Sequence, residues 1–186
     1  IPHPFESRAE YDQLIKDLAE TGVIEDGSNI YWDIRPSIHF DTIEFRVADV
    51  CSTIDEAVLI AGLCRALAKV CHAQHMRGEP IPTMRQEVIQ ARKFQAARYG
   101  VEGNSVDTIS KSGSPGLSMI QSLLTFLAPT LQEDQEWDEI RSLLNTTLER
   151  GTGARRQREV FERTGSLKEV VASIVNDTSK GLDAIP

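Results

Sequence analysis

A chain of 186 residues, 40% hydrophobic and 26% charged, suits one compact domain or a large piece of one, and it contains no long stretch of disorder-like composition. Its 20 Lys and Arg against 28 Asp and Glu leave a net charge of -8. With a pI near 5.0, that excludes a general nucleic-acid binder and leaves any anionic ligand to local clusters of Arg. No signal peptide or membrane span is visible. The apolar run Ala57 to Cys71 is broken by Arg65 and Lys69 and is short for a bilayer, so it reads as a core helix. Cys51, Cys64 and Cys71 are odd in number and lie outside any metal-ligand spacing. They point to reduced thiols and a cytoplasmic setting.

In chain order, Ser7-Arg8-Ala9-Glu10 has capping-box spacing. Leu14, Ile15 and Leu18 then give a first helix its apolar face up to about Gly22. Residues 25–29 read as a turn, and strands are expected at about 30–35 and 38–48. Ser52-Thr53-Ile54-Asp55 opens a helix to about Arg77 that is apolar on most sides and therefore expected to be buried by others. Gly78-Glu79-Pro80-Ile81-Pro82 stops it. A helix from about Thr83 to Tyr99 ends at Gly100. Residues 101–116 read as a loop with short strands around Val106 and Ile109, and Ser114-Pro115 opens a helix with Pro in its first turn. After a polar surface turn at 132–136, Trp137, Ile140, Leu144 and Leu148 mark the next helix. A basic helix starts near Ala154, Ser166 caps a last one, and the tail from Asp177 reads as frayed. The fold class is α+β, with strands early and a mostly helical bundle after them.

The segment with most chemical content is Thr42 to Asp49. Alternation puts Ile43, Phe45 and Val47 on one face of a strand and Glu44 beside Arg46 on the other. A solvated outer face is the commoner meaning of that pattern. A carboxylate and a guanidinium side by side also have the chemistry to hold a metal ion and an anionic phosphate. Arg35, just before Pro36, has a salt bridge with Asp33 or Asp49 as its plain role. Asp33 and His39 read as hydrogen-bonded structural residues, and Arg98 as a cation at a helix C-terminus. Gly151-Thr152-Gly153 leads into a helix start, where free amides favour anions, and Arg155, Arg156 and Arg158 follow. A flexible loop before a basic surface accounts for the same residues. His72 and His75 lack further ligands and read as an exposed pair.

Trp32-Asp33-Ile34-Arg35-Pro36 followed by Thr42-Ile43-Glu44-Phe45-Arg46-Val47-Ala48-Asp49 resembles the strand pair of the glutamate–cysteine ligase type 2 family, the carboxylate–amine ligases. That family carries W-D-I/L-R-P, then T-I/L-E-x-R-x-x-D. The likeness continues in Phe5-Glu6-Ser7 through Thr21-Gly22-Val23-Ile24, in Ala96 through Gly103, and in Gly151-Thr152-Gly153-Ala154-Arg155-Arg156-Gln157-Arg158. One departure stands out: Ala91-Arg92 occupies the place where relatives usually show Glu-Asn, which puts the substrate or full activity in question.

The resemblance implies a glutamine-synthetase-like fold, a curved antiparallel sheet with helices outside. It implies an ATP-dependent ligase in which a carboxylate, the γ-carboxylate of glutamate, is phosphorylated and then attacked by an amine such as that of cysteine. In those terms Glu44 is a Mg²⁺ ligand, and Arg46 reaches the reacting phosphoryl group or substrate carboxylate. Arg35 is a candidate for holding a substrate carboxylate or the nucleotide, and Arg156 for closing over the site, with Arg155 and Arg158 at the surface. The family is about twice as long, so residues 1–186 are expected to be the C-terminal portion of a single catalytic domain. Residues 1–50 would form its lead-in helix and strand pair, and residues 51–186 its helical part. The expected partners are then the small-molecule substrates, the missing first half of the same protein and, given the large apolar helices, a second copy. A reading from another class is a non-catalytic helical interaction module, or a ligase half that has lost its chemistry.

Overall fold

The computed structural model describes residues 3–80, 84–106 and 113–180. The chain divides into two compact units, Ile1–Asp49 with Met84–Gln90, and Val50–Thr83 with Ala91–Pro186.

The first unit opens with α1 (Arg8–Glu20). Ser7 caps it, its hydroxyl accepting from the Glu10 amide at 3.2 Å. The Glu10 carboxylate reaches back to the Glu6 amide at 2.6 Å, one residue before the cap itself. Tyr11 is buried on this helix and meets the rings of Phe5 and Trp32 at 5.5 and 6.4 Å. A 3-10 turn, Gly27–Asn29, follows, closed by a reciprocal capping box between Asp26 and Asn29. Then β1 (Ile34–Pro36) and β2 (Ile43–Phe45) pair antiparallel, with Ile34 opposite Phe45, Arg35 opposite Glu44 and Pro36 opposite Ile43.

These strands are much shorter than the alternation predicts. Ile30 donates its amide to the Gly27 carbonyl instead of a ladder, and Pro36 has no N–H to give. Residues between the strands are spent on the turn: Thr42 donates to the Phe40 carbonyl, and the Ser37 hydroxyl accepts from the amides of His39 and Phe40. The apolar face of β2 is also not covered as expected. Ile43 and Val47 are more than half exposed and Phe45 half-buried.

The second unit holds the main apolar core. It contains α2 (Ile54–Met76), α4 (Gly116–Glu133), α5 (Trp137–Arg150), α6 (Gly153–Thr164) and α7 (Leu167–Ser179). The helix α3 (Gln86–Tyr99) begins in the first unit and continues in the second. The core is Leu59 and Ala66 of α2, Leu127 and Leu131 of α4, and Ile140 and Leu144 of α5. Leu127 and Leu131 are completely buried.

Only one stripe of α2 is buried, through Glu56, Leu59, Gly62 and Ala66, while Ile54, Val58 and Met76 face solvent. This corrects the expectation of a helix enclosed all round: apolar composition does not choose a face, and two packed neighbours cover one. The cap also moves by one residue. Thr53 and Glu56 form the reciprocal capping box, because Glu56 reaches both the Ser52 and Thr53 amides, at 2.9 and 3.2 Å, a span Asp55 is too short to make. The two cations that interrupt the apolar run, Arg65 and Lys69, tie α2 to the turn between α4 and α5. Arg65 pairs with Glu136, and Lys69 donates to both oxygens of Asp134 at 2.5 and 2.7 Å.

A second ribbon joins β3 (Asn104–Val106) to β4 (Gly113–Pro115). Pro115 therefore ends a strand rather than opening a helix, and α4 begins at Gly116. The strand expected around Ile109 lies outside the described residues, as does the helix start expected at Thr83. Gly165 closes α6 in the left-handed conformation, φ 64°, and Ser166 caps α7 as predicted. Far from fraying at Asp177, α7 is held there, as described below. The described residues are thus mostly helical with two short antiparallel ribbons, an α+β composition. No described helix is long and apolar enough to cross a membrane.

Candidate functional site

Opposed residues of an antiparallel pair project on the same face, as do residues two apart on one strand. Arg35, Glu44 and Arg46 therefore share one side of the first ribbon. Arg35 is buried. Its Nε donates to Glu44 Oε2 at 2.8 Å. Its Nη1 donates to the carbonyls of Gly27 and Ile30, each at 3.0 Å, and also to that of Ser28. Arg46 Nη1 lies 4.0 Å from the same Glu44 Oε2, with both side chains more than a third exposed. The Arg46 guanidinium rests over the Tyr31 ring, 5.3 Å from its centre, a cation–π contact. The acid and base expected together on β2 are together, and Arg35 stands directly across from the acid.

Among the described residues no three His, Cys, Asp or Glu converge on a point, so this chain builds no closed metal cage there. Magnesium commonly takes one or two protein carboxylates and completes its shell with water and substrate phosphate. Glu44 fits that donor set as a single ligand: both guanidinium contacts use Oε2, leaving the carboxylate's second oxygen outside these pairs.

Arg156 lies in the second unit and is largely enclosed. Its Nη1 donates to Glu56 Oε1 at 2.9 Å and to the Gly151 carbonyl at 2.5 Å, and its Nε donates to Asp177 Oδ2 at 3.0 Å. Its Nη2 is buried without a partner among the described residues. Burial works against the Arg156 charge, but Glu56 and Asp177 together outweigh it and hold the pKa above its usual value. Asp177 is held below the usual carboxylate range, first by Lys180 and then by Arg156, against the opposing effect of burial. The Thr178 hydroxyl donates to the Ser52 carbonyl at 3.1 Å, so the ends of α2, α6 and α7 meet in one polar cluster.

Arg155 and Arg158 are exposed, pairing with Glu159 and Glu102. Two clefts of this unit lie beside Arg155; Val101, Leu117 and Thr152 help line one of them, Arg158 and Glu162 the other. Neither is lined by Arg35, Glu44 or Arg46. His39, His72 and His75 are exposed, and Arg98 packs over Tyr99 in the last turn of α3. Cys51, Cys64 and Cys71 are free thiols, and burial raises the Cys64 pKa.

Sequence reasoning missed the carbonyl clamp on Arg35, the ring beneath Arg46 and both carboxylates on Arg156. The Thr53 to Glu56 spacing was a usable signal for Glu56. Nothing in the sequence marks Asp177, 21 residues beyond Arg156.

The family model of glutamate-cysteine ligase family 2 matches residues 1–174. The chain belongs to this family of carboxylate–amine ligases. Family members similar to it include a Frankia casuarinae protein named "Putative glutamate--cysteine ligase 2-2", 40% identical over 94% of this chain and 20% of its own length. A Frankia alni protein of the same name is 38% identical over 94% of this chain and 46% of its own. A Solibacter usitatus protein named as a glutamate–cysteine ligase 2 is 33% identical over 99% and 48%. The chain thus spans about half the length of the latter two family members and a fifth of the first.

Proposed function

We propose that this chain is the C-terminal portion of an ATP-dependent carboxylate–amine ligase and contributes the Glu44–Arg46 side of its active site. The carrying observation is the ribbon face on which Glu44, half-exposed and fixed through one oxygen, lies beside the Arg46 guanidinium. In the proposed reaction a glutamate-like γ-carboxylate attacks the γ-phosphorus of ATP and ADP departs. The amine of an amino acid such as cysteine then attacks the acyl phosphate carbon and inorganic phosphate leaves. Bound Mg²⁺ supplies charge neutralisation for the phosphates. Glu44 would hold the metal with one oxygen, and Arg46 would orient phosphate or carboxylate oxygens through its planar fork. Such transfer depends mostly on positioning and electrostatics, which these two residues suit.

Arg156 retains one unpartnered donor, which supports a contact with an anionic group once the rest of the protein is in place. The exposed apolar side chains of the first unit, among them Tyr31, Phe40, Ile43 and Val47, suit completion by the part of the ligase that relatives carry and this chain does not. The proposed whole is a glutamine-synthetase-like sheet of which the ribbon is one section.

The test is isothermal titration of Mg-ATP into the full-length protein and its Glu44→Ala variant. Binding weakened at least about tenfold in the variant is expected, the scale of effect seen when a group around a metal is lost. Equal, weak binding by both proteins would overturn the ligase reading in favour of an interaction module.

A further inference from the structure

We propose that Arg35 is a positioning residue, whose guanidinium locks the Glu44 carboxylate in one orientation and presents its second oxygen outward. The inference rests on the reading of Glu44 as the metal-binding carboxylate. A guanidinium carries five N–H donors in a rigid fork. Here one nitrogen is saturated by protein: Nη1 serves the carbonyls of Gly27, Ser28 and Ile30. That clamp fixes the plane of the fork, and the fork fixes where Nε meets Glu44 Oε2. The side chain is only 9% exposed, so it is sunk beneath the face where a substrate would arrive.

The clamp is itself braced. Asp26 Oδ1 accepts from the Ser28 amide at 2.7 Å, and Asn29 Oδ1 accepts from the amides of Glu25 and Asp26. Gly27 packs so closely that a Cβ there would come within 2.9 Å of Ile38 Cγ2. A continuous chain of contacts therefore runs from the capped turn through Arg35 to Glu44. Lysine cannot replace Arg35, because an ammonium is a point charge with no fork to transmit orientation.

The experiment follows the Glu44 side-chain couplings by NMR in the full-length protein with labelled glutamate, Glu44→Gln identifying the signal. In the wild type one rotamer is expected. In Arg35→Lys, which keeps the charge, the couplings should average over several. If Arg35→Lys fails to fold, Asn29→Ala loosens the braced turn without touching either partner and should produce partial averaging. Wild-type couplings retained in a folded Arg35→Lys, or in Asn29→Ala, would overturn the proposal. Mn²⁺ alone is the second probe. It should broaden the amides of residues 43–45 in the wild type, with an apparent affinity about tenfold weaker in Arg35→Lys, the usual scale for outer partners of a metal ligand. Absence of broadening at β2 in the wild type would overturn the metal reading of Glu44, and the couplings would still decide the role of Arg35.

Discussion

Arg156 shows how a motif residue acquires meaning only from its partners. Its neighbours in sequence, Arg155 and Arg158, are solvated, yet it is gripped by carboxylates on two other helices. Removing one member of such an enclosed set leaves charges uncompensated. Arg156→Ala is therefore expected to destabilise the protein by about 3 kcal/mol, the lower end of what broken buried pairs cost, as read from urea unfolding. Asp177 adds a pH signature. Its folded pKa lies below the ordinary value of 3.8, so its stabilisation is complete above the unfolded pKa and disappears as pH falls through the folded one. The stability difference between wild type and Asp177→Asn should be constant from about pH 5 to 7 and shrink steadily below about pH 4. Thermal melts across that range would show it. At this scale the pairing of Glu44 with Arg46 was legible, because a two-residue step on a strand fixes a shared face. The Arg156 partners were not, since one of them comes from 100 residues upstream.

At the scale of elements, the caps at Ser7 and Ser166 were readable because capping is local chemistry, although that of α2 lies one residue beyond the expected start. Both act where their types and spacing place them. Strand lengths were not, because alternation records which side chains are apolar and not which amides find partners. The contact of α2 with α5 was equally hidden. A Cβ at Gly62 would fall 2.3 Å from Ile140 Cδ1, so glycine is what allows the two helices to approach. Gly62→Ala gains helix propensity of about 1 kcal/mol but overpacks a buried residue at about 1–3 kcal/mol, and the second effect should win. A net loss of about 1 kcal/mol is expected from those opposing terms. In an Ile140→Val background, which removes Cδ1, the same substitution should become neutral or stabilising. A double-mutant cycle by denaturant unfolding measures that coupling.

For the whole molecule, the two units are unequal. The core of α2, α4 and α5 contains two completely buried leucines, whereas the candidate site sits on a two-stranded ribbon, an arrangement marginal without further packing. Ribbon amides at residues 34–35 and 43–45 are expected to exchange with solvent at least about tenfold faster than those in the middle of α2 and α5, read by hydrogen-exchange mass spectrometry. Leu131→Ala should cost about 3–5 kcal/mol, because the cavity it leaves is fully enclosed. By itself, the sequence determined the family, the caps at Ser7 and Ser166 and the shared face of Glu44 and Arg46, all of which depend on residues close together in the chain. Only the tertiary structure decided that three carbonyls clamp one nitrogen of Arg35, that Arg156 joins a three-helix cluster and that α2 buries a single stripe. Those outcomes depend on which distant groups come within hydrogen-bonding or van der Waals reach, and local pattern carries no record of that distance.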